Sequence, residues 1–303
     1  MEPVLVEEIR RLRGGSQAHV MRATDGNCYA VKFQKNPQGT RVLFNEYLAA
    51  RIAEDIGLPV IHPKIIAISP QVAQCNPDLY FDFPHGRCNV PAGCHFGSRY
   101  IDTAVSRVYD WLPAAMLREE FVRNIAAFAG MLAFDKWTCN ADSRQAIFVR
   151  TGHEKKYSAV FIDHGYCFNS TYWRFANSRL GGAYLQNEAY DSVVGWESFE
   201  PWITRIEEFS EQALIRYSSE IPPEWYDEDL ALVHDLIARL YKRRRIVREL
   251  IDDFRTSDRQ PFKNWEPAAD NQCRGARETR VTIDESRLQV QFCGGAVCSG
   301  SST

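Results

Sequence analysis

Along the first hundred residues, apolar and polar positions follow the short period of strands. In "RRLRGGSQAHVMRATDGNCYAVKF" a Gly-Gly turn precedes "HVMRA", and Asp25-Gly26 separates that run from "CYAVKF". An Asp-Gly pair between two strand-like runs predicts a hairpin, because its tight turn needs residues that tolerate positive φ. From Thr40 the period lengthens. Phe44, Leu48 and Ile52 recur at i, i+4 through "RVLFNEYLAARIAEDI", which predicts a helix. Gly57 and then Pro59 supply its stop signal. "KIIAI", "DLYFDF" and "HFGSRYI" read as further strands, with "PHGRCNVPAGC" as a loop before the last of them. Residues 1–103 are therefore expected to form a mostly β lobe with one helix inserted.

From residue 104 helical periods take over. "LREEFVRNIAAFAGMLAFDKW" repeats apolar positions at Ile125, Phe128 and Leu132. "DEDLALVHDLIARLYKRRRIVRELIDDF" repeats them from Leu230 to Phe254; each predicts a helix. Two short strands, "AIFVR" and "SAVFID", lie between them. Residues 104–257 then make a second, helical lobe. Beyond it, "ETRVTIDESRLQVQF" alternates as a hairpin would, so 258–303 is expected to be a small β appendage with a frayed, small-residue tail. The fold class expected is α+β.

Composition narrows the function classes. The chain has 303 residues, 45% hydrophobic and 25% charged, with a net charge of −3. That balance argues against a broad nucleic-acid surface, which needs an excess of Lys and Arg. One basic run, "YKRRRIVR", reads as a solvated helix face. The longest apolar run, "IAAFAGMLAF", is about half of what a bilayer span requires. With no secretory signal visible in "MEPVLVEEIRR", the expectation is a cytoplasmic protein without membrane partners. The 9 cysteines include no C-x-x-C pair and read as free thiols of a reducing compartment.

A β lobe with one helix, followed by a helical lobe holding a strand pair, is the organisation of protein-kinase-like folds. Phosphoryl transfer requires a loop over the phosphates, a cation on them, an acid fixing that cation, a base near the attacking group, and metal ligands. "RGGSQ" supplies Gly14, Gly15, Ser16 and Gln17, whose backbone N–H groups could approach phosphate oxygens. Lys32 in "YAVKF" resembles the V-A-I-K lysine of kinases. Glu46 lies on the only helix of that lobe and could pair with Lys32. Asp163 in "VFIDHGYCF" ends an apolar strand and precedes Gly165, like the D-F-G metal-binding turn. Asp142, in the polar turn "NADSRQ", stands where a catalytic-loop acid stands. Each residue alone has a plain reading as a strand-edge lysine, a helix-surface glutamate or a turn aspartate. Order and spacing raise them together.

With "GGSQ", "YAVKF", "NEYLAARIAEDIGLP", "FGSRY", "NADSRQAIF" and "IDHG" in this order, the chain resembles the HipA-like kinases over about residues 10–260. The resemblance implies a bilobal protein-kinase-like fold and an ATP- and Mg²⁺-dependent kinase acting on a hydroxyl, most readily of a protein. Lys32 and Glu46 become the nucleotide pair, Asp142 the catalytic acid and Asp163 the metal ligand. The chain departs from the pattern at the second metal ligand. Kinases place an Asn five residues after the catalytic Asp, and here that position is Ile147. Gln145 or Asn140 stands in, with Asn140 alternatively bracing the loop. This departure keeps open a pseudokinase that binds nucleotide without transferring phosphate. The segment "NSTYWRFANSRLGGAYLQNEAY" should face the acceptor, whose identity the sequence does not name.

Overall fold

The structure, a computed structural model, describes residues 3–101 and 106–266. The expected hairpin and tail after residue 266 lie outside the described residues. A compact unit runs to Pro267 and is mixed α and β, with a β-rich N-terminal part and a helical C-terminal part.

Strands β1 (Leu5–Arg11), β2 (His19–Ala23), β3 (Cys28–Lys32), β7 (Gly93–Arg99) and β4 (Pro63–Ile68) form one sheet in that order, every neighbour antiparallel. The expected Asp25-Gly26 hairpin joins β2 to β3. Its turn is closed by Asp25, which accepts from Asn27 N at 2.9 Å and from Tyr29 Oη at 2.6 Å. Helix α1 (Arg41–Asp55) follows β3. It stops where the glycine signal places it: Leu58 N reaches Ala53 O and Gly57 N reaches Glu54 O, both at 2.9 Å. Gly57 has φ +80°, and this pairing is the usual glycine-capped helix end.

Between β4 and β7 lie a capped turn of helix, α2 (Pro70–Cys75), and a hairpin of β5 (Tyr80–Phe83) and β6 (Gly86–Asn89). The expected loop at 84–94 thus contains a strand. All four β6 residues are exposed, so no apolar alternation marked it. A second sheet pairs β8 (Ser106–Tyr109), β9 (Gln145–Thr151) and β10 (Ser158–Ile162), again antiparallel. β9 and β10 match the expected strand pair, while β8, only four residues long, carries too short a pattern to show.

The first C-terminal helix is shorter than its apolar period suggested: α3 spans Ala127–Thr138. Upstream, the backbone pairs instead with the approach to β10, through Arg123 N to Tyr157 O at 2.9 Å and Tyr157 N to Phe121 O at 2.7 Å. Val122 and Ile125 are buried there without helix. Every residue of α3 is buried, the mark of a helix at the centre of a lobe. Helices α4 (Trp202–Glu207), α5 (Glu211–Ser219), α6 (Leu230–Arg243) and α7 (Val247–Arg255) complete the fold. The single helix expected over 227–254 is broken by a tight turn at Arg244–Ile246.

Two apolar clusters hold these elements. One lies under the five-stranded sheet around Phe33, Ile66 and Phe81. The larger joins Phe44, Leu48 and Ile52 of α1 to Phe128, Phe134 and Trp137 of α3 and to Phe148 and Phe161 of the second sheet. Helix α1 is therefore packed on all sides, Asn45 and Glu46 included, and buried polar groups need partners. Those partners define the site. No helix among the described residues is long and apolar enough to cross a membrane.

Candidate active site

Lys32 ends β3, Glu46 sits mid-way along α1, and Asp163 follows β10. Lys32 Nζ donates to Glu46 Oε1 and, at 2.8 Å, to Asp163 Oδ1. Glu46 is only 2% exposed, so it is not a helix-surface residue, and its second oxygen accepts from His164 N at 2.9 Å. Burial would lower the Lys32 ammonium, but the charges of Glu46 and Asp163 outweigh it and hold it above its ordinary range. Burial also works to raise the Asp163 carboxyl. Lys32 overrides that and holds it well below the usual carboxylate range. For Glu46 burial wins, against the pull of Lys32, and its carboxyl is pushed up. Asp163 is thus the firmly ionised acid of the trio.

The Asp163 turn is shaped for this contact. Asp163 has φ +62°, a left-handed conformation that Asp tolerates better than most residues. Gly165 packs closely on α1: a Cβ there would lie 3.1 Å from Glu46 Oε1 and 3.4 Å from Val42 Cβ, so a larger residue would press on the Glu46 carboxylate. His164, in the middle of the turn, is buried, and burial with the nearby Arg144 pushes its imidazole well below the ordinary histidine range. Gln145, first residue of β9, donates through Nε2 to Asp163 Oδ2 at 3.0 Å.

Asp142 is exposed in the loop between α3 and β9. Its Oδ1 accepts from Ser143 N at 2.7 Å, its N donates to Asn140 Oδ1 at 3.1 Å, and its O accepts from Gly182 N at 2.8 Å. The Asn140 amide also donates to Asp135 Oδ1 at 3.0 Å. Both ends of that amide are thus spent bracing the loop, the second of the roles open to it. Asp142 faces a cavity of about 650 Å³ lined by Pro37, Gln38, Tyr166 and Asn169–Tyr172 among others. Lys32 and Asp163 lie outside that lining.

Three further residues tie these parts together, and sequence reasoning missed them. Arg144 and Asp135 form a buried two-pronged pair. Arg144 also donates to Ile162 O at 2.9 Å and Asp163 O at 3.1 Å and contacts His164 Nδ1 at 3.2 Å. It locks the loop of Asp142 to the turn of Asp163. Asn45, beside Glu46, donates to Gly165 O at 2.7 Å and Ser170 O at 2.9 Å and accepts from Trp173 Nε1 at 2.8 Å. The available signal was a polar residue amid apolar neighbours on a helix, which reads equally as a surface position.

The glycine loop joins β1 to β2. Gly14 has φ +132° and faces open space, while Gly15 lies against Gln38. Ser16 is buried. The Gln17 side chain is engaged within the fold: its amide bonds Arg11 and the backbone N and O of Asp82 on β5, the last two at 2.8 Å. The hairpin β5–β6 thereby holds one end of the loop. In the segment after the Asp163 turn, Tyr172 is exposed, Trp173 is buried against Phe44, and Phe175 packs on the core. Lys136 of α3 pins this segment by donating to Arg179 O at 2.6 Å and Gly181 O at 2.8 Å. Burial lowers its ammonium to about 8. The run 241–248 is only partly a solvated face. Arg243 is buried and donates to Lys136 O, Trp137 O and Asn177 Oδ1, and Arg248 pairs with Glu207.

The sequence matches the family model described as HipA-like kinase over residues 5–255. The chain belongs to the HipA-like kinase family. Its solved likenesses are distant. The Golgi casein kinase shares 10% identity at a TM-score of 0.48, over 84% of this chain and 73% of that one. The Helicobacter pylori proinflammatory kinase CtkA shares 11% at 0.47, over 81% and 96%. HipA of the Shewanella oneidensis MR-1 toxin–antitoxin system, solved with HipB and operator DNA, shares 12% at 0.42, over 83% and 66%. No curated protein matches. Membership rests on the family match; likenesses at TM-scores below 0.5 add nothing to it. Within this family member, Lys32, Glu46, Asp163 and Gln145 are brought into direct contact, and Asp142 and Asn140 share the neighbouring loop.

Proposed function

We propose that this chain is an ATP- and Mg²⁺-dependent kinase that transfers the γ-phosphate to a hydroxyl, that of a protein serine or threonine. The observation that carries this reading is the buried contact of Lys32 with both Glu46 and Asp163, next to a loop that presents Asp142 to a cavity. The donor set suits a hard divalent ion. The ionised Asp163 accepts one hydrogen bond on each oxygen and keeps lone pairs to spare, and Gln145 adds an amide oxygen. No cluster of three or more acidic, His or Cys ligands exists among the described residues. One carboxylate with an amide oxygen beside it suits Mg²⁺, which is held by one or two carboxylates together with substrate phosphates. When bound, the ion would neutralise phosphate charge.

The residues divide the remaining work. Lys32, fixed by Glu46, places a compact positive charge on the phosphates. N–H groups of Gly14 and Gly15 close over them. Asp142 orients the attacking hydroxyl and takes its proton as the oxygen forms its bond to phosphorus and the bond to ADP breaks. Arg144 and Asn140 hold Asp142 in register with Asp163. The free thiols of Cys28, Cys75, Cys88, Cys139 and Cys167 suit a reducing, cytoplasmic setting. Nucleic acid is not among the partners we propose, since Arg243 and Arg248 of the basic run are engaged within the fold.

A second reading, nucleotide binding without transfer, draws on one observation: Ile147 stands where kinases place the metal-binding Asn. Calorimetry with ATP and Mg²⁺, paired with transfer from γ-labelled ATP, tests the proposal. Wild type should bind ATP and label protein. Lys32→Ala should weaken binding by about tenfold or more, the scale of one charge-assisted contact. Asp163→Asn should abolish the Mg²⁺ dependence. Nucleotide affinity indifferent to both changes would refute the assignment.

A further inference from the structure

The turn between β3 and α1 is built around a residue that no other part of the site explains. Asn36 is 3% exposed and all its polar side-chain atoms are bound. Nδ2 donates to Phe33 O at 2.8 Å and to Gly39 O at 3.3 Å, and Oδ1 accepts from Gln38 N at 2.9 Å. Gly39 N closes the turn on Asn36 O at 2.9 Å, and Thr40 Oγ1 accepts from Lys35 N at 3.0 Å. Such a buried, satisfied amide fixes the backbone that carries its neighbour. The neighbour it projects is Gln38.

The side chain of Gln38 stands where three parts of the site meet. Its Nε2 lies 2.8 Å from where a Cβ on Gly15 would be, so the glycine loop closes onto it. The same nitrogen donates to Tyr166 Oη at 3.3 Å, one residue past Gly165. Gln38 also lines the cavity that Asp142 faces. On the kinase reading, this junction lies between a nucleotide under the glycine loop and a hydroxyl beside Asp142. A neutral amide suits that place, because it can donate to a phosphoryl oxygen without adding a second cation to compete with Lys32 for Asp163.

Resting on the kinase reading, we infer that Gln38 is a further catalytic residue, whose Nε2 donates a hydrogen bond to an oxygen of the transferred phosphoryl group. ADP lacks that group, so Gln38 separates ATP from ADP and chiefly serves the transfer step. The test uses the full chain as wild type, Gln38→Ala and Gln38→Glu, with calorimetry for Mg·ADP and Mg·ATP, thermal melting, and label transfer from γ-labelled ATP. In Gln38→Ala, ADP affinity and melting should stay within about twofold and about 2 °C. ATP affinity should fall several-fold, and transfer by roughly 10- to 100-fold, as for losing one donor to a charged oxygen. Gln38→Glu, with a repelling charge in the same shape, should fall further. Equal losses for ADP and ATP with lowered melting would make Gln38 a structural residue and overturn the inference, as would unchanged transfer. Faster transfer in Gln38→Ala would show a plug that must leave, also overturning it. If wild type binds neither nucleotide, the kinase reading itself fails and the inference falls with it.

Discussion

Arg144→Met removes the guanidinium that joins the Asp142 loop to the Asp163 turn while keeping most of its buried volume. The change costs Asp135 its two-pronged partner and leaves Ile162 O and Asp163 O without this donor. Both members of the pair are essentially buried, at 2% and 0% side-chain exposure. Breaking such a pair from one side costs about 3–5 kcal/mol, a large share of the roughly 5–15 kcal/mol that holds a domain folded. With a urea slope of about 3 kcal/mol/M, the midpoint should fall by roughly 1–1.7 M. The loss should depend on pH with a definite sign. Burial already raises the Asp135 carboxyl, and Arg144 pulls it back. An acid whose folded pKa is raised binds its proton more tightly when folded, so its penalty is absent below the unfolded value near about 4 and grows as pH rises. Without Arg144 only the Asn140 hydrogen bond and the Lys136 charge still oppose burial, and the variant should lose more stability at pH 8 than at pH 5.5. Adding Asp135→Asn should return part of it. A loss under about 1 kcal/mol, or one equal at both pH values, would refute the view of this pair as the fastening of the site.

Two further outcomes concern other buried polar side chains. His95 accepts from Gln34 N through Nδ1 and donates through Nε2 to Pro91 O, and burial lowers its imidazole to about 4. Its contribution to stability is complete above about pH 6.5 and is lost as pH falls toward 4, by up to roughly 3 kcal/mol; paired urea titrations should show His95→Gln flattening that slope, and equal slopes would contradict it. Asn45→Ala should cost about 2–4 kcal/mol by orphaning two carbonyls and the Trp173 N–H, and hydrogen exchange should quicken across residues 165–173 and not in α6; uniform quickening would point to global loosening instead.

Much of the fold was legible because the period of apolar positions reports burial. Helix α1 with its glycine stop, the Asp25-Gly26 hairpin and the β9–β10 pair all carried that signal. β6 did not, because it is exposed on both faces and nothing selects an alternation there. The start of α3 was misplaced because Val122 is buried by pairing with Tyr157 and Ile125 in the turns that follow, and burial without helix leaves the same apolar spacing. The break at Arg244–Ile246 lies in a basic stretch with no Gly or Pro to mark it. Within the site, Lys32, Glu46 and Asp163 were readable from order along the chain. Asp135, Arg144, Asn45 and Gln38 act through partners 9 to 128 residues away, and one sequence does not show such pairings. Gln17 shows the converse, since a loop motif gives no hint that β5 will claim its side chain.

The central claim is that Asp142 serves a transfer reaction and not merely a turn. Asp142→Asn keeps the shape and removes the charge and the proton acceptor, while Lys32, Glu46 and Asp163 are untouched. The measurement is paired: ATP–Mg²⁺ affinity by calorimetry, and γ-phosphate transfer, autophosphorylation included, on wild type and variant. The account predicts near-normal affinity with transfer lowered by roughly 10²-fold or more. Unchanged transfer in Asp142→Asn, or no transfer by wild type under conditions where it binds ATP, would contradict it.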